Sequence, residues 1–97
     1  MAIESTRFNA LLASAVGHDA DLARELRGSV LASALGHVDL LGRSRCDANW
    51  IMSARRLKGL AETFGLDDLV ALADTALAGA PGDPRVLMDI RRHLDLL

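Results

Sequence analysis

The spacing of Trp50, Ala54, Leu57, Ala61 and Phe64 most constrains what this chain can fold into. Apolar residues that recur at intervals of four, three, four and three fall along one side of an α-helix and would scatter to both faces of a strand. Such a seam has to be buried against other helices. Asp47 opens the segment and Gly65 closes it, so a helix is expected from Ala48 to Phe64.

Similar punctuation divides the rest of the chain. A first helix is expected from about Thr6 to Val16, capped by Ser5 or Thr6 and ended by Gly17. Phe8, Leu11, Leu12, Ala15 and Val16 share one face of it. A second helix is expected from Ala20 to Leu41, with Asp19 as N-cap and Gly42 as stop, and its length is about 33 Å. Leu22, Leu26, Val30, Leu31, Ala34, Leu35, Val38 and Leu41 make a wide apolar stripe along it. Gly28 and Gly36 lie inside that helix, where close approach of a neighbouring helix would explain them. A fourth helix is expected from about Asp68 to Ala78, capped by Asp67, with Leu69, Leu72, Ala73, Ala76 and Leu77 facing inward. The fifth begins at Asp83 with Pro84 in its first turn, and Leu87, Ile90, Leu94 and Leu97 face inward with Val86 beside them.

No segment alternates as a strand does. The expectation is therefore an all-α fold: an antiparallel four-helix bundle with a short additional N-terminal helix laid across one end. The connection from Gly42 to Asp47 is short enough to force the helices on either side of it to pair antiparallel. One domain covers residues 1–97, and no linker or repeat interrupts it. Aromatic residues make up only 3 % of the chain against 51 % hydrophobic, so Leu, Ala and Val have to build the core.

The seam on the third helix also fixes what points away from it. Arg55, Lys58, Gly59 and Glu62 fall at i, i+3, i+4 and i+7 and share an outward stripe, with Lys58 nearest the flank. Met52 extends this surface one turn earlier, and Arg56 adds a second guanidinium beside Arg55. Gly59 stands out, because a glycine inside an exposed helical turn weakens the helix and packs nothing. Two explanations are open: close packing within the bundle, or a partner that approaches the backbone.

The stretch from Ala54 to Gly65, with Arg55, Leu57, Lys58, Gly59, Ala61 and Gly65 in order, resembles the core motif of the histidine-containing phosphotransfer (HPt) family. That pattern reads His-x-x-Lys-Gly, then a small residue and a glycine. The helix order, the short hairpin and the final pair of helices agree with the family as well. The resemblance implies a docking surface for a receiver domain, with Gly59 leaving room for it and Lys58 offering positive charge to a phosphoryl group. The departure is central, since Arg55 stands where the family carries its phosphorylated histidine. A guanidinium stays protonated and has no lone pair to attack phosphorus, whereas an imidazole has one near neutral pH. No catalytic residue is expected at this position.

The resemblance thus implies a signalling module of a bacterial two-component phosphorelay. It would bind the receiver domain of a response regulator or hybrid histidine kinase without being a phosphoacceptor at Arg55. One alternative is phosphotransfer through another histidine. Hairpin pairing puts His37 opposite about Met52, within a turn or so of Arg55, while His18 falls in a loop and His93 on the last helix. A histidine bonded to water or backbone on the flank of a long helix is the plainer account of His37. The other alternative is a structural or dimerising bundle with only ancestral likeness to the family, for which Met52 and Leu60 hint at an apolar outer face.

The remaining features exclude more than they assign. A formal net charge of −2 does not provide the basic field of a nucleic-acid binder. Arg43, Arg45, Arg55 and Arg56 can form a local basic patch, with Asp39, Asp47 and Glu62 near to balance it. The lone Cys46 allows no disulfide within the chain, no apolar run is long enough to span a bilayer, and residues Met1 to Thr6 lack the character of a signal peptide. A cytoplasmic monomer without cofactor or membrane partner is expected. Three dispersed histidines and one cysteine give no local metal-ligand spacing, so no metal is expected. Trp50 is read as core.

Overall fold

The computed structural model describes residues 2–97, which form α1 (Ala2–Ala15), α2 (Ala20–Gly42), α3 (Asp47–Thr63), α4 (Asp67–Ala78) and α5 (Pro84–Asp95). There is no strand among the described residues. The all-α, five-helix fold expected from the periodicity is observed.

Local chemistry sets most helix ends. Asp19 caps α2, its carboxylate accepting from the backbone N–H groups of Asp21 and Leu22 at 3.0 and 3.1 Å. Asp83 caps α5 by accepting from the N–H of Arg85 at 2.9 Å, and Pro84 occupies the first turn. Gly65 has φ +67° and ends α3 in a Schellman motif. The N–H of Leu66 donates to the carbonyl of Ala61, that of Gly65 donates to Glu62, and Leu66 is buried against the core. The same arrangement ends α1, where Gly17 and then His18 adopt positive φ.

Three helix starts differ from expectation. α1 begins at Ala2 rather than near Thr6, so Ser5 and Thr6 are internal and do not cap it. Glu4 in its first turn complements the helix dipole and is itself buried. Cys46 rather than Asp47 is the N-cap of α3, and Leu66 rather than Asp67 is that of α4; neither side chain caps by hydrogen bonding. Burial of Leu66 locks the turn, which leaves Asp67 and Asp68 to favour the positive end of α4 by charge.

The core runs through Phe8, Leu12, Val30, Ala34, Val38, Leu41, Trp50, Ala54, Leu57, Ala61, Leu66, Leu69, Ala73, Ala76, Val86, Ile90, Leu94 and Leu97. The α3 seam is buried as its spacing demands, with Phe64 packed at its edge. Trp50 fills the space between α3 and α4, and its Nε1–H donates to the Ala76 carbonyl at 2.9 Å. The apolar stripes of α1 and α2 are narrower than expected, since Leu11, Leu22 and Leu35 are exposed and Ala15 lies outside the core. On α5, Val86 is buried and Leu87 only half-buried.

Packing is between α2 and α3, α3 and α4, α4 and α5, and α5 and α2, so these four helices close a ring. α1 packs on α2. It reaches the end of α3 through an edge-on contact of Phe8 with Phe64, and the start of α4 through an Arg7–Asp67 ion pair at 3.0 Å. The inner approach expected at Gly28 and Gly36 does not occur. Both are exposed, and a Cβ at either would meet nothing within 4 Å. Gly42 is instead the close-packed glycine of α2, where a Cβ would lie 3.1 Å from the Arg91 guanidinium.

Candidate functional site

Because the α3 seam faces inward, the opposite side of the helix is presented to solvent. Met52, Arg55, Arg56, Gly59 and Glu62 are all exposed there. They span nearly three turns of one continuous helix, so their relative positions are fixed by backbone geometry rather than by a loop. This is the outward stripe that the sequence predicts.

Of the two explanations offered for Gly59, close packing within the bundle does not apply. The residue is exposed, and a Cβ built on it would meet nothing within 4 Å. Packing within the fold therefore does not require glycine here. Its φ also lies outside the left-handed region, so backbone conformation does not require it either. What glycine provides at this place is a flat, accessible stretch of backbone. Gly65 differs, since its positive φ at the end of α3 accounts for it by conformation alone.

The charges on this surface are unequal. Lys58 lies half-buried on the flank, and its ammonium sits 2.8 Å from Asp74 Oδ1 on α4. The hydrogen bond to that carboxylate, and then its charge, raise the Lys58 pKa above the ordinary 10.5. Lys58 thus reaches toward α4 rather than outward. Among the described residues, Arg55 and Arg56 have no ion pair. Arg43 is held by Asp39 one turn earlier, at 3.0 Å, so the basic patch beside the hairpin reduces to Arg55 and Arg56, with Arg45 in the connection.

Two shallow grooves meet at Met52. One is lined by Ala48, Ile51, Met52, Arg55 and Arg56. The other lies between α2 and α3, where Leu40, Met52, Ser53 and Arg56 form part of its wall. Leu40, Ile51 and Met52 are 45 %, 36 % and 44 % exposed, so apolar surface lies directly beside the two free guanidinium groups. Leu40 and Ile51 carry no local sequence signal that marks them as part of this surface. Each follows or precedes a core residue, Leu41 or Trp50, and a 100° turn carries an adjacent residue off the seam. Leu60, read as part of an outer face, instead packs half-buried against the core.

His37 is half-buried on α2 and lines neither groove. His18 is exposed in the turn between α1 and α2. His93 is only 9 % exposed, against Glu4 of α1. Cys46 is an exposed free thiol. No helix among the described residues is long and apolar enough to cross a membrane. No protein-family model, no curated protein and no solved structure matches this chain.

Proposed function

We propose that this chain is an HPt-like antiparallel four-helix bundle, with α1 added at one end, that binds a receiver domain through the outer face of α3 and does not carry a phosphoryl group at Arg55. The observation that carries this reading is the open backbone at Gly59, where a side chain would meet nothing, on the same helix face as an unpaired Arg55. Neither packing nor backbone conformation calls for glycine there, whereas a partner that approaches the helix closely would.

The chemistry fits an acidic partner with an apolar rim. A receiver domain presents acidic residues around its phosphorylatable aspartate. Arg55 offers a planar fork suited to carboxylate or phosphate oxygens. Leu40, Ile51 and Met52 supply the apolar contact that such a polar centre needs around it. Because the guanidinium cannot accept the phosphoryl group, the chain would occupy a receiver and compete with a genuine phosphotransfer protein for it.

The test is titration of the full chain against isolated receiver domains of response regulators and hybrid kinases, read by calorimetry. Saturable binding is expected, and Arg55→Ala should weaken it by about 1–3 kcal/mol, as for other charge-assisted contacts. Absence of binding at several hundred micromolar, or an Arg55→Ala protein that binds equally well, overturns the reading. Sedimentation of the chain alone separates out a bundle that dimerises through Leu40, Ile51 and Met52. In that case dimerisation would be lost on Met52→Glu.

A further inference from the structure

We infer that Glu4, Asp68 and His93 form a binding site for a divalent transition-metal cation, with Zn²⁺ the best-fitting member of that class. The three residues lie far apart in the chain. They meet because the first turn of α1, the first turn of α4 and the last turn of α5 come together. One ligand atom from each residue lies within 4.8 Å of the others.

The state of the buried groups points to a cation. Glu4 is 6 % exposed, and neither of its carboxylate oxygens has a hydrogen-bond partner. His93 Nε2 is buried and also without one. Glu4 Oε2 and His93 Nε2 approach to 2.6 Å without making a directed hydrogen bond. Buried carboxylates without donors are costly and normally paired. Even a protonated His93 would leave two carboxylates facing one positive charge. A divalent cation would satisfy all three side chains at once, with Nε2 supplying its lone pair, once rotation of the side chains parts Nε2 and Oε2 from 2.6 Å to the roughly 3.4 Å between tetrahedral ligands.

The donor set selects the ion class. One imidazole nitrogen with carboxylate oxygens suits Zn²⁺ at ligand distances of about 2.0–2.2 Å, whereas Mg²⁺ and Ca²⁺ prefer oxygen-only cages. Three protein ligands leave a coordination position for water. Asp68 is exposed and forms the outer wall of the site, which gives the ion a path from solvent. The bound ion would tie α1 to α5 and add a second link to α4 beside the Arg7–Asp67 ion pair.

The experiment uses the full chain carrying Cys46→Ser, so that the exposed thiol does not bind zinc. After treatment with chelator, Zn²⁺ alone is titrated by calorimetry, and thermal unfolding is followed with and without it. One equivalent should bind and raise the melting temperature, while Mg²⁺ at the same concentration should not. Asp68→Asn removes an exposed ligand with little risk to folding. It should lower the melting temperature of the metal-free protein by no more than a few degrees, through loss of one charge at the start of α4, and weaken Zn²⁺ by more than the roughly 10–100-fold typical of losing an outer-shell partner. His93→Gln should also abolish the Zn²⁺-induced rise. Absence of saturable Zn²⁺ binding below about 100 μM would identify the cluster as a buried Glu4–His93 pair and overturn the proposal. Binding that survives both Asp68→Asn and His93→Gln would overturn it as well, by locating the ion elsewhere.

Discussion

The Lys58 ammonium lies 2.8 Å from Asp74 Oδ1 and so joins α3 to α4 on the flank of the candidate docking face. The lysine that follows position 55 by three residues is therefore directed toward its own fold, and Arg55 and Arg56 are left as the outward cations. If a receiver domain docks on this face as proposed, Asp74→Asn should release Lys58 toward it and strengthen binding, with the gain lost at high salt. Calorimetric titration at two ionic strengths checks this. Weaker binding by Asp74→Asn would mean that the bridge positions the surface rather than restraining it.

The same pair has a pH signature. Asp74 raises the Lys58 pKa above 10.5, first by hydrogen bonding and then by charge. A group whose folded pKa is raised adds stability that is fully present below its unfolded value and is lost as pH rises through the folded value. Stability should therefore fall above pH 10.5 more steeply in the parent than in Asp74→Asn. Urea unfolding at a series of alkaline pH values reads the difference, and a side-chain NMR titration should show the Lys58 pKa dropping toward 10.5 in the variant.

Gly59→Ala separates stability from binding. A Cβ at this position meets nothing within 4 Å, so the substitution should stabilise the protein by about 1 kcal/mol through helix propensity alone. If a receiver approaches the backbone here, the added methyl group should at the same time weaken docking. Gly59→Leu should weaken it further without unfolding the chain. A glycine kept for folding would show the opposite pattern, destabilised and still able to bind.

Gly28 and Gly36 give a control for that reasoning. Both lie in exposed turns of α2 with open space around them. Gly28→Ala and Gly36→Ala should each stabilise by about 1 kcal/mol, and the double variant by nearly the sum, since the sites are more than two turns apart. Chemical denaturation measures all three. Gly42→Ala should behave differently, because its Cβ would press on the Arg91 guanidinium at 3.1 Å.

What the sequence made legible follows from how far each signal reaches. The α3 seam, the Asp19 and Asp83 caps, and Gly17 and Gly65 as stops act within a few residues, and they are read correctly from the chain. The outward stripe through Met52, Arg55, Gly59 and Glu62 follows from the seam by geometry. The role of Leu66 was hidden because its burial, not the capping power of Asp67, sets the start of α4. Glu4 and His93 were hidden for a stronger reason: nothing local marks two polar residues at opposite ends of a chain as neighbours. Gly28 and Gly36 face solvent rather than a neighbouring helix, and a glycine in a helical sequence does not reveal which side of it is open.

Trp50 provides the last prediction and the means of measuring the others. It is the single tryptophan of the chain and is 1 % exposed, so its emission should be blue-shifted in the folded protein and move to longer wavelength on unfolding. Its Nε1–H donates to the Ala76 carbonyl at 2.9 Å between α3 and α4. Trp50→Phe keeps an aromatic ring but removes that donor and leaves part of the space unfilled. An unsatisfied buried carbonyl together with the small cavity should lower stability by about 2–3 kcal/mol. For a domain of this size that corresponds to a melting temperature lower by roughly 10–20 °C, read by circular dichroism because the variant has no tryptophan. The ring faces the core rather than the α3 surface, so the proposed receiver binding, if present in the parent, should be unchanged when measured well below the lowered melting temperature. A loss of binding there would instead assign Trp50 a part in holding the docking face in shape.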